Sequence, residues 1–125
     1  MTMRPEPLIL VVDDELDIRF VLKKTLQSLN YAVEEAVNGT EGLTKALELR
    51  PDAILMDQRL PDVAGYEVHL HLLRLGVRIP TVLMSGHPGV DELARAAGIQ
   101  HFLRKPIDYE NLQSFMTELL RPHVP

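Results

Sequence analysis

Leu8-Ile9-Leu10-Val11-Val12-Asp13-Asp14-Glu15 is a short apolar run that breaks off into three acids. Such a run reads as a strand buried on both faces, the kind found in parallel sheets covered by helices. The acids then stand at its carboxyl end, on the rim of the sheet. Two carboxylates about 5 Å apart repel by roughly 3 kcal/mol at an effective dielectric near 20. A fold keeps that arrangement where a cation lies between the charges, or where both sit idle in open solvent.

The same pattern returns along the chain. Ala53-Ile54-Leu55-Met56 ends in Asp57, Pro80-Thr81-Val82-Leu83-Met84 in Ser85-Gly86, and Gln100-His101-Phe102-Leu103 in Arg104-Lys105-Pro106. Ala32–Ala36 is a shorter strand, with Val33 inward and Glu34 and Glu35 marking an edge. Helices are expected between the strands. Glu15–Leu29 places Ile18, Val21, Leu22, Thr25, Leu26 and Leu29 at helical spacing. Asn38 and Glu41 form a capping-box pattern ahead of Leu43, Ala46 and Leu47, and Arg50-Pro51-Asp52 stops that helix. Leu60–Gly65 is a turn, Tyr66–Leu75 a helix closed by Gly76, and Asp91–Ala97 a short one closed by Gly98. Asp108 is expected to cap a last helix that buries Leu112, Phe115, Met116 and Leu119. Strands alternating with helices in this way predict an α/β fold: a five-stranded parallel sheet with helices on both faces.

Size and charge narrow the function. A chain of 125 residues fits one domain, spanning about 8–121 with short frayed ends at Met1–Pro7 and Arg121–Pro125. The net charge is -5 with no basic cluster, which argues against nucleic acid as a partner. With no cysteine, disulfides, thiolate chemistry and cysteine-ligated zinc are excluded. Neither a signal core nor a run of membrane-spanning length is present, so a cytoplasmic protein is expected, away from membranes.

In open parallel sheets, ligands sit beyond the carboxyl ends of the strands. That edge gathers Asp13 and Asp14, Asp57, Ser85 and Lys105 from four strands. Three carboxylates against one ammonium leave room for a divalent ion, and all-oxygen ligation suits magnesium. A carboxylate in such a place can act as a nucleophile toward phosphorus and form an acyl phosphate. Lys105 and the Ser85 hydroxyl would then have new oxygens to meet.

Taken together, Val12-Asp13-Asp14-Glu15, Met56-Asp57-Gln58-Arg59-Leu60-Pro61 with Gly65, Met84-Ser85-Gly86 and Phe102-Leu103-Arg104-Lys105-Pro106 resemble the receiver domain of bacterial two-component response regulators. The likeness runs over essentially the whole length, to receivers of the chemotaxis-regulator kind. It implies the flavodoxin-like strand order 2-1-3-4-5. Asp57 would be the phosphoacceptor, loaded by a sensor histidine kinase or a histidine phosphotransfer protein. Asp13, Asp14 and Asp57, with the backbone carbonyl of Arg59, would bind Mg2+, the second acid directly and the first often through water. Ser85 and Phe102 would form the switch, Lys105 would pair with the phosphoryl oxygens, and Lys105-Pro106 would be a cis peptide. The change would reach an output domain or target protein through the face of the fourth helix, fifth strand and fifth helix, which relatives also use for homodimers. By itself the chain would be no enzyme beyond its own phosphorylation and dephosphorylation.

Some positions depart from the family pattern. Gln58 stands where an apolar residue is usual, Phe102 lacks the hydroxyl of the commoner tyrosine, and Ser85 to Lys105 is short by about half a helical turn. Gly86, His87 and Gln58 are possible lining residues. His69 and His71 lie two apart and face different ways, so they make no metal site. Three other readings compete. A haloacid-dehalogenase-type phosphatase wants a second acid at the position of Arg59, and a flavodoxin-like nucleotide binder would be repelled by the acids after the first strand. A degenerate receiver that binds protein without phosphorylation would not need the acid set intact.

Overall fold

The computed structural model describes residues 5–121, so the first residues of the expected leader and the tail beyond Arg121 lie outside the described residues. Five strands, β1 (Leu8–Val12), β2 (Ala32–Ala36), β3 (Ala53–Asp57), β4 (Thr81–Ser85) and β5 (His101–Arg104), form one sheet. Every pairing is parallel and the order is β2-β1-β3-β4-β5. The helices are α1 (Leu16–Ser28), α2 (Gly39–Leu49), α3 (Gly65–Arg74), α4 (Val90–Ala96) and α5 (Leu112–Leu119).

Apolar side chains alternate across the sheet and fill two layers. Ile9, Val11, Leu55, Val82 and Met84 face Leu22 and Leu26 of α1 and Leu112 and Met116 of α5. Leu10, Val12, Ile54 and Met56 face Ala46 of α2 and Val68 and Leu72 of α3. Each fully buried Leu or Ile contributes roughly 1.5–3 kcal/mol over exposure. Leu83 packs with Val90 and Ala94 of α4, and half-buried Phe102 joins them. The register sets Val12 beside Met56, Asp57 beside Met84 and Ser85 beside Arg104, so the strands end nearly level.

Some expectations are corrected. Asp108 does not cap α5: a 3-10 turn at Tyr109–Asn111 comes first, and the Asp108 carboxylate accepts from the Asn111 side-chain amide instead. Val21 shares the helical spacing of Leu22 and Leu26 on α1 but is 40% exposed. Phe115 is half-buried, packed against the core and edge-on to His101. Ser85 closes β4 instead of following it. The Asn38 side chain does accept from Glu41 N–H at 2.8 Å, while Glu41 turns to Lys45 rather than back to Asn38.

Candidate functional site

The apolar strands end where their backbones reach the rim, and the next side chains converge there. Asp13 is fully buried and Asp57 nearly so, whereas Asp14 is exposed. Carboxylate oxygens of all three lie within 4.8 Å of one another. Lys105 reaches in from the end of β5: its Nζ is 2.9 Å from Asp13 Oδ2, 3.3 Å from Asp57 Oδ1 and 3.6 Å from Glu15 Oε1. One ammonium thus faces more acids than it can neutralise.

Titration follows from this placement. Asp57 is raised from 3.8 to about 6, first by burial and then by the Asp13 charge, against the pull of Lys105 and of the Arg59 N–H. Burial acts to lower Lys105, but its hydrogen bond to Asp13 and the charges of Asp57 and Asp13 outweigh it, so the ammonium is held above its ordinary value. Tyr109 is raised by burial and by Asp13, against Lys105, which places its ring near the same charges.

The donor set suits a hard divalent cation, with carboxylate oxygens crowded together and negative charge in excess. Asp13 has both oxygens engaged, Oδ1 by Glu15 N–H at 2.9 Å and Oδ2 by Lys105.

A family model for the response regulator receiver domain matches residues 9–117. The chain belongs to the response regulator receiver family. This receiver domain is 36% identical over 115 residues to response regulator MprA of Mycobacterium sp. (strain KMS), covering 90% of this chain and 50% of that protein. MprA of Mycolicibacterium vanbaalenii is 35% identical over 119 residues, with 94% and 52% covered. The chain thus spans about half the length of the curated relatives it matches. Among solved structures, chemotaxis protein CheY4 of Vibrio cholerae superposes with a TM-score of 0.84 at 29% identity, covering 92% of this chain and 99% of that one. A receiver domain protein from Methanospirillum hungatei JF-1 gives 0.81 at 29% identity, covering 92% and 94%.

The remaining expected residues of the receiver site sit as follows. Ser85 is buried at the end of β4, its Oγ accepting from His87 N–H at 3.0 Å, while Gly86 and His87 are exposed. Phe102 packs toward α4 with Leu83, Tyr66 and Leu70 around it. The Lys105–Pro106 peptide is cis. Gln58 does not line the acids; its Oε1 accepts from Tyr66 N–H at 3.1 Å at the start of α3, and its carbonyl accepts from Gly65 N–H at 3.0 Å. Gly65 has a steric reason, since a Cβ there would lie 2.4 Å from the Asp57 carbonyl oxygen.

Three pairings are not readable from the sequence. Arg19 Nη1 donates to the Asp13 carbonyl at 2.7 Å and its Nε lies 3.4 Å from Glu35, pinning the acid pair to β2. Glu15 joins the charges around Lys105. Asp62 accepts from the N–H groups of Gly39 and Thr40 at 2.8 and 2.9 Å and from the Thr40 hydroxyl at 2.6 Å, fastening the loop after Asp57 to the start of α2. These hydrogen bonds, with the helix N-terminus beside it, hold the Asp62 carboxyl far below the usual range. A carboxylate in a turn, a loop-facing threonine and a helical arginine carry no signal of such pairings, because the partners lie far off in sequence or on another element.

Proposed function

We propose that this receiver domain is a phosphoacceptor switch in which Asp57 takes a phosphoryl group from a phosphohistidine. The observation that supports it is the Lys105 ammonium lying between Asp13 and Asp57 with Asp14 alongside. An Asp57 oxygen attacks phosphorus, an O–P bond forms, and the P–N bond breaks with its electron pair leaving on the imidazole. Lys105 would follow the charge onto the phosphoryl oxygens, and Ser85, whose Oγ accepts from His87 N–H, would donate its own hydroxyl proton to one of them.

Asp13, Asp14, Asp57 and the Arg59 carbonyl would hold Mg2+. When bound, that ion supplies neutralising charge for the transferring phosphoryl group. Phosphorylation turns one negative charge at Asp57 into roughly two. Movement of Ser85 would then free space toward Phe102 and the α4, β5 and α5 face, where an output domain, a target protein or a second copy would read it. The donor would be a sensor histidine kinase or histidine phosphotransfer protein, in the cytoplasm, and no helix among the described residues is long and apolar enough to cross a membrane.

The test is transfer from a phosphorylated histidine domain carrying labelled phosphate. Label should move to the wild-type chain with magnesium present and stay on the donor when chelator is added or Asp57→Asn is used. Transfer that ignores both changes would remove Asp57 and the metal from the reaction.

A further inference from the structure

The opposite end of the sheet, at the amino ends of β4 and β5, opens into a cavity of about 1100 Å3. That is slightly above the usual range for small-molecule sites, about 300–1,000 Å3. Its origin is local. α4 is short, Val90–Ala96, and Gly98 turns the chain at φ +78 directly into Ile99 and β5, leaving the base between α3 and β5 uncovered.

The wall carries a buried polar pair. His69 on α3 is 8% exposed and Thr81 at the start of β4 is 4% exposed. The Thr81 hydroxyl donates to the Ile79 carbonyl at 3.0 Å, so its single proton is spent. The 3.1 Å contact between His69 Nδ1 and Thr81 Oγ1 must therefore be Nδ1–H donating to oxygen. Nε2 is left as a bare acceptor on a ring that borders the cavity, and no group among the described residues bonds to it. Burial holds this imidazole below its ordinary value, which keeps it neutral at pH 7.

Charge on the rim is one-sided. Glu118 is taken by Arg121 at 3.4 Å, while Arg78 has no ion pair or hydrogen bond among the described residues. Some carbonyls of the last turns of α3 and α4 are already engaged. They are capped by the chain's own N–H groups, Gly76 to Leu73, Val77 to Leu72, Gly98 to Arg95 and Ile99 to Ala94. Leu73, Ile79 and Ile99 supply apolar walls.

We infer that this cavity binds a small organic acid with a flat apolar body, its carboxylate meeting Arg78 and a hydroxyl or N–H group donating to Nε2 of His69. The carboxylate is selected by the uncommitted guanidinium and the donor by the fixed tautomer of His69. A ligand lacking either group leaves one of these polar atoms unmatched, which is where discrimination arises.

Amide NMR spectra of the full chain, titrated with para-hydroxybenzoate, benzoate and para-hydroxybenzyl alcohol, test this. The hydroxy acid should shift the amides of Thr81, Gly98 and Ile99 saturably, with a dissociation constant of roughly millimolar order for so small a probe. Benzoate and the alcohol should each bind about tenfold more weakly. Arg78→Gln should abolish the advantage over the alcohol, and His69→Leu, which leaves the Thr81 to Ile79 bond intact, the advantage over benzoate. No saturable shift at these amides with any probe, or unchanged preferences in both variants, would overturn the assignment.

Discussion

Lys105 donates to Asp13 across 92 residues of sequence, at 2.9 Å, from one of the more enclosed positions a lysine holds in this fold. The same ammonium restrains Asp57, whose titration it lowers. Replacing Lys105 by Ala should therefore move Asp57 above its value of about 6, so that more of it is protonated near neutrality. Carboxyl NMR titration of the metal-free protein reads this directly. An Asp57 midpoint at or below the wild-type value would show that Lys105 does not act on it. The fully buried Asp13 would also lose its counterion, and the variant should be less stable by up to about 3 kcal/mol.

Asp57 itself should cost stability in the absence of metal. Its carboxyl is raised from 3.8 to about 6 on folding, so between those values the folded state binds the proton more tightly than the unfolded chain. That contribution is fully present below 3.8 and is lost as pH rises through about 6, a change of about 3 kcal/mol. Asp57→Asn should be more stable than wild type at pH 7 and should lack this part of the decline. Denaturant titrations across pH 4 to 7 with chelator present check the sign. Parallel curves for the two proteins would contradict it.

Metal binding should compete with the same proton. Apparent magnesium affinity should fall roughly tenfold per pH unit below about 6 and level off above it. Calorimetry at pH 5, 6 and 7 would measure the slope. A flat profile would mean that Asp57 is not among the ligands.

The loop after Asp57 is closed by Asp62 at its tip and Gln58 at its base. Asp62→Ala should remove an N-terminal cap from α2, costing about 1 kcal/mol. It should also weaken magnesium several-fold, because the freed loop must be ordered on binding. Asp62→Asn, which still accepts hydrogen bonds, should recover most of both losses. Equal magnesium affinity in Asp62→Ala and wild type would uncouple the loop from the site.

Gly65→Ala should be the most damaging single-methyl change near the site. The new Cβ would sit 2.4 Å from the Asp57 carbonyl oxygen, against backbone that cannot move without displacing β3. A loss of about 2 kcal/mol or more is expected in thermal unfolding, together with slower phosphoryl uptake.

The sheet and its edge were legible because periodicity and strand-end acids are local signals. Asp13, Asp14, Asp57, Ser85 and Lys105 each follow an apolar run, and parallel topology alone brings such ends together. What stayed hidden depends on partners across the fold. Arg19 carries no local signal of its role, because Asp13 and Glu35 come to either side of it only in the fold. Asp108 looked like a cap, but the 3-10 turn at Tyr109–Asn111 uses it differently, and propensity does not separate the two. His69 is buried and His71 exposed, and only the fold shows that His69 meets Thr81.

Mass analysis after treatment with acetyl phosphate and magnesium bears most directly on the central claim. One base-labile phosphoryl group should appear, map to Asp57, and be absent from Asp57→Asn and from wild type held in chelator. A phosphoryl group gained in equal yield by Asp57→Asn, or by wild type without magnesium, would contradict the account.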